Sequence, residues 1–208
     1  MNARRLALLV ASVMLLACAS DGRTLRPPAP GATAPPPPSS ASANNGLAAA
    51  GTPGTPAVSG FTLSSTAFEP GQQIPIAYTC DAGGQSPSPP LAWGGVPTGT
   101  VELALTVVDP DANDFVHWVM AGIDPSVQAI SMGNVPDGVV QGTNSGGSVG
   151  WTGPCPPKGP PHHYVFSLYA LQSPSGLTQG VDGHTAIATL QKAHSAPATL
   201  TGTYQRAG

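Results

Sequence analysis

Hydrophobic and polar positions divide the chain into three stretches with different rhythms. Leu6 to Leu16 is an apolar run of about eleven residues. From Asp21 to about Pro56 no period is visible at all. Beyond Phe61, short apolar runs alternate with clusters of Gly, Pro, Asn and Asp, the punctuation of strands and turns. Gln73–Tyr78 reads as a short strand, pushed to a sheet edge by Pro75. Val101–Val108 reads as a buried strand, and Phe115–Ile123 as another. His163–Leu171, rich in aromatic and branched side chains, is a third, and Thr199–Tyr204 closes the series. Ile187, Leu190 and His194 recur at helical spacing, with Asp182 placed to cap, so His184–His194 reads as a helix. The pattern predicts an all-β, antiparallel sandwich with one or two short helices and long loops between strands.

The N-terminal stretch has its own chemistry. Arg4 and Arg5 precede the apolar run, which has the length of a signal peptide and is too short to span a bilayer, where about 20 apolar residues are needed. The run ends at Leu15-Leu16-Ala17-Cys18, small and apolar residues directly before a cysteine. That order predicts a lipoprotein signal over 1–17 with acylation of Cys18, which would become the first mature residue; ordinary cleavage leaving a free thiol is the alternative. Several acyl chains on one cysteine suffice for stable anchoring. Residues 18–57 contain Pro35-Pro36-Pro37-Pro38 and an Ala/Asn/Gly stretch that cannot bury enough apolar surface to offset its ordering entropy, and read as a linker. Residues 58–208 remain for one folded domain. The expected location is a bacterial cell envelope, with the domain tethered to a membrane and facing the periplasm or the exterior.

Charge narrows the function classes. The domain has three strong cations, Lys158, Lys192 and Arg206, against nine carboxylates, which argues against nucleic-acid binding. With Cys18 assigned to lipid, Cys80 and Cys155 form an even pair in an oxidising compartment and are expected to be bonded, two buried free thiols being the alternative. Such a bond closes a loop of about 75 residues, worth on the order of 4 kcal/mol.

Three segments concentrate polar chemistry. Asp109-Pro110-Asp111 follows the strongest strand and presents two carboxylates at its end. By strand alternation Phe115, His117, Val119 and Ala121 share one face. Taken alone, His117 reads as a satisfied core histidine more readily than as a functional one. The segment from Gly150 to Tyr164 combines glycines that let main chain approach an anion with His162 and Tyr164 on one side of the next strand and His163 on the other. A rigid connection with surface histidines is the plainer reading of it.

In order, Cys80-Asp81, Ser88-Pro89-Pro90-Leu91-Ala92-Trp93, Asp109-Pro110-Asp111-Ala112, His117-Trp118-Val119, Gly153-Pro154-Cys155-Pro156-Pro157 and His162-His163-Tyr164-Val165-Phe166 resemble the phosphatidylethanolamine-binding protein family, in its bacterial Raf-kinase-inhibitor-like branch. The resemblance covers Phe61 to Arg206. It implies an antiparallel β-sandwich with a small surface pocket for anions, falling here on Asp109, His117, Gly153, Pro156, His162 and Tyr164, with Asp111 nearby. Two departures stand out: Asn113 replaces the family's usual proline, implying a looser loop, and His163 stands where eukaryotic members have arginine. The implied function is a non-enzymatic binding module for a phosphate-like anion or a phosphorylated head group, without cofactor or metal, regulating or inhibiting a protein partner in the envelope. The alternatives are a metal- or His/Asp-dependent hydrolase and a structural protein with a vestigial pocket. No zinc-site spacing and no nucleophile elbow is present to favour the hydrolase.

Overall fold

The computed structural model describes residues 60–193 and 196–206. Cys18, the leader, the linker and His194 lie outside the described residues. Eight strands and one α-helix are found among those described: β1 (Thr62–Ser64), β2 (Leu91–Gly94), β3 (Glu102–Asp109), β4 (Phe115–Ile123), β5 (Ala129–Ile130), β6 (Val140–Gln141), β7 (His162–Leu171), α1 (Gly183–Ala193) and β8 (Ala198–Tyr204). They form two antiparallel sheets, a small one in the order β1-β2-β5 and a large one in the order β6-β4-β3-β7-β8. The all-β sandwich expected from the pattern is the fold observed.

Alternation on the large sheet sorts side chains into two cores. Leu103, Leu105 and Val107 of β3 and Tyr164, Phe166 and Leu168 of β7 face the small sheet, where Leu63, Leu91 and Trp93 meet them. On the opposite face Ala104, Ala121 and Leu171 pack against Leu190 of α1, and Val116 and Val119 against Ala186. Asp182 caps α1 by accepting from the Thr185 N–H and hydroxyl, each at 2.9 Å. Glu102 is buried with three donors around it: the N–H of Gly122 (3.0 Å), the N–H of Ser175 (2.9 Å) and the Ser175 hydroxyl (2.6 Å). It ties the segment after β7 to the end of β4.

Two expectations change. Gln73–Tyr78 is not a strand. The Ile74 N–H donates to Thr203 O at 2.7 Å and Gln73 bridges Thr203, but Pro75, with φ −59°, has no N–H to continue the ladder. The chain turns into a short 3-10 helix, Ile76–Tyr78. The predicted shared face of Phe115, His117, Val119 and Ala121 is also broken. The β3–β4 register slips by one between Val107↔Trp118 and Val108↔Val116, placing a β-bulge at His117. Val119 and Ala121 therefore face α1, whereas Trp118 and Met120 enter the core between the sheets.

Candidate functional site

The bulge decides where His117 points. Its ring lies 5.1 Å edge-on from Tyr164, 6.4 Å from Trp151 and 4.8 Å from Phe115. The Nδ1 atom is 2.8 Å from Thr152 O. A carbonyl can only accept, so Nδ1 carries the proton, and Nε2 of the neutral ring has the lone pair. Burial, opposed by the Thr152 carbonyl and the Asp109 charge, holds this imidazole below its ordinary pKa of 6.5.

Asp109 ends β3 and is 2 % exposed. Its Oδ1 accepts from the Asp111 N–H at 2.9 Å, capping the 3-10 turn Pro110–Ala112, and its Oδ2 accepts from His162 Nδ1 at 2.8 Å. Both carboxylate oxygens are thus engaged, and His162 is held in one tautomer like His117. The turn leaves through Asn113 and Asp114, at φ 54° and 56°. Proline, fixed near φ −65°, cannot take that place, whereas asparagine tolerates it well. The departure at Asn113 is therefore a defined left-handed turn.

His162 and Tyr164 open β7 on the side of the pocket. Burial first, then the Asp109 carboxylate, pushes the Tyr164 phenol well above its ordinary value. Among the described residues its buried hydroxyl has no partner in good hydrogen-bonding geometry, the Asp109 carboxylate lying close enough to add to the shift. These groups and the loop Thr152–Pro157 enclose a cavity of about 130 Å³ lined by Asp109, His117, Gly153, Pro156, His162 and Tyr164 among others. Gly153 is glycine for a reason behind the wall: a Cβ there would collide with Ser86 Oγ and lie 2.7 Å from Tyr78 O.

Of the seven candidate pocket residues, only Asp111 is absent from the lining. The carboxylate accepts from the N–H (2.7 Å) and Nδ1 (2.8 Å) of His163, on the opposite side of β7. The N–H and ring of His163 hold this carboxyl below its ordinary range. Alternation along β7 sends His162 to Asp109 and His163 to Asp111, so one carboxylate serves the pocket and the other a surface pair. The structure adds Ala112, Phe115, Thr152, Cys155 and Pro157 to the lining. Phe115 was signalled by its place two residues before His117, and Cys155 by sitting between Gly153 and Pro156. Thr152 acts through its carbonyl, which no residue pattern marks.

A larger groove of about 460 Å³ crosses the outer face of the large sheet beside α1. Its ionisable side chains at Asp114 and His184 are exposed. The groove also has the buried Tyr169 phenol, but the buried carboxylate and imidazole, Asp109 and His117, are in the smaller pocket, which makes that the candidate site.

Known proteins match over this same region. The family model described as phosphatidylethanolamine-binding protein matches residues 64–205. LppC of Mycobacterium tuberculosis, named as a lipoprotein, is 40 % identical over 153 residues, covering 72 % of this chain and 75 % of its own length. A Methanothermobacter thermautotrophicus protein, named only by an uncharacterised-family label, is 40 % identical over 151 residues, covering 69 % of this chain and 98 % of its own. The crystal structure of Escherichia coli YbcL, described as a new member of the mammalian family of this kind, superposes with a TM-score of 0.66 at 32 % identity, over 71 % of this chain and 99 % of that one.

Proposed function

The chain belongs to the phosphatidylethanolamine-binding protein family, and from that premise we propose that it is a non-enzymatic, membrane-tethered module that binds a phosphate-like anion. One observation carries the reading. His117 and His162 each commit Nδ1 to a fixed acceptor, Thr152 O and Asp109 Oδ2, so each keeps Nε2 for a ligand. Protonated, the two imidazoles become charge-assisted donors to an anion. Asp109 contributes by positioning, since its oxygens are turned to His162 and to the Asp111 N–H and so fix the imidazole that meets the anion. Drug-sized ligands occupy cavities of roughly 300–1,000 Å³. At about 130 Å³ this one takes a phosphate-sized group, so a phospholipid or phosphoprotein would offer only its head group or phosphoryl.

The phenol of Tyr164, its pKa raised, is a poor nucleophile, and among the described residues no serine lines the pocket. The His162–Asp109 pair is the one feature favouring the hydrolase alternative, since it has the form of an oriented general base. The tether rests on Cys18 and on the lipoprotein name of the M. tuberculosis relative. Among the described residues no helix is long and apolar enough to cross a membrane, so lipid is the proposed anchor. The partner is proposed to be an envelope component, lipid or protein, bearing the anionic group.

The pH dependence has a definite sign. Burial keeps His117 neutral near pH 7, and an anion at Nε2 favours the protonated form, so binding takes up a proton. Affinity for sulfate, whose charge is constant over the range, should rise from about pH 8 to about pH 5 and weaken at least tenfold in His162→Ala at the lower pH. Calorimetric titration with sulfate, inorganic phosphate and phosphoethanolamine checks this and separates free from head-group phosphate. A pH-independent affinity, or full affinity in His162→Ala, would sink the reading. Turnover of phosphate esters that His162→Ala abolishes would favour the hydrolase.

A further inference from the structure

One wall of the pocket is closed by a covalent bond. Cys155 lines the cavity and is bonded to Cys80, 75 residues earlier. Both cysteines are solvent-exposed, so the bond lies on the rim, within reach of an attacking thiolate. Neither belongs to the hydrophobic core between the sheets.

The bond continues into the large sheet. Cys80 begins a 3-10 turn, Cys80–Ala82, and its N–H donates to Pro154 O at 3.0 Å. The next residue, Asp81, accepts from the Tyr204 hydroxyl at 2.7 Å and from Arg206 at 3.0 Å. Tyr204 is paired across the ladder with His162. A continuous path therefore runs from the pocket wall through Cys155, Cys80, Asp81 and Tyr204 to the strand that carries His162. With the sulfurs separated, the wall keeps the Cys80–Pro154 hydrogen bond and the packing behind Gly153, and loses its covalent tie to the Cys80–Ala82 turn, from which the hydrogen bonds to Tyr204 begin.

We propose that Cys80–Cys155 is a redox-addressable clamp on the anion pocket, a proposal that rests on the pocket reading above. The co-reactant is a dithiol, small or protein-borne. Its thiolate attacks one cysteine sulfur, the Cys80–Cys155 bond breaks, and a mixed disulfide forms. The second thiol of the reductant then displaces the protein sulfur. Two electrons and two protons end on Cys80 and Cys155 as thiols, and the reductant leaves as a disulfide. The oxidised pocket is preorganised and the reduced one has a loosened wall. Anion affinity should fall at least about fivefold on reduction, the lower end of the coupling usual between linked sites.

The test uses the purified full chain in detergent, without denaturant. Dithiothreitol is added, newly labelled thiols are counted by mass, and inorganic phosphate is titrated calorimetrically before and after. Two additional thiols, retained β-sheet circular dichroism and at least fivefold weaker binding are expected, with Cys80→Ser/Cys155→Ser matching the reduced protein. Equal affinity in both states overturns the clamp and leaves the pocket reading standing. A bond that reacts only in denaturant, or a fold lost on reduction, also overturns it, since the disulfide would then be a structural staple. No phosphate binding by the oxidised chain is the separate failure, of the pocket itself.

Discussion

Single atoms decide which side chains serve the pocket. Asp109 and Asp111 are two residues apart and chemically alike, but one is buried against His162 and the other is an exposed partner of His163. That division was legible in part: strand alternation separated His162 from His163, while nothing in the sequence said which aspartate each would meet. Gly153 is a second case, since its close neighbours come from 67 and 75 residues away, at Ser86 and Tyr78. Gly153→Ala should lower stability by about 1–3 kcal/mol, the usual cost of forcing volume into a packed site. Urea denaturation measures it, and an unchanged midpoint would show that the wall yields freely. Anion affinity in the same variant should fall, because relief of the collision moves the wall.

Elements were readable in proportion to their length. Strands β3, β4, β7 and β8 and the helix all have enough residues to show a period, and each is found within about one residue of its predicted ends where those ends are described. Strands β1, β2, β5 and β6 have two to four residues each, too few for any period, and were missed as strands. The bulge at His117 was equally invisible, because it is defined by slippage against β3. Connections between elements rest on a few buried polar groups, Glu102 chief among them. Glu102→Ala leaves the N–H groups of Gly122 and Ser175 without that acceptor and should cost about 1–3 kcal/mol. A thermal melt registers this as a lowered midpoint; a melt like that of the unsubstituted protein would mean that other acceptors replace the carboxylate.

At the scale of the molecule, tether and pocket are independent proposals. The first lies in Cys18 and the leader before it, the second in residues of the sandwich some 90 and more positions later. Cys18→Ser should therefore move the protein from the membrane pellet to the soluble fraction, or block its processing, while leaving sulfate affinity unchanged. Continued pelleting with the membranes would remove lipid as the anchor. The fold class was legible because the strand pattern and the ordered motifs pointed the same way. The closure of the pocket was not, since it depends on β3, β4, β7 and the loop before β7 converging in space.

The contact between the Trp151 and His117 rings has an optical consequence. Trp151 lies 6.4 Å from the His117 imidazole and 5.7 Å from Trp118. An imidazolium withdraws charge from a nearby excited indole, whereas the neutral ring does so far less. Light emitted by Trp151 should therefore fall when His117 becomes charged, and Trp118, 5.7 Å away, should pass excitation to it. If ligand entry brings a proton to His117 as proposed, it should register as a loss of ultraviolet emission, visible without any label.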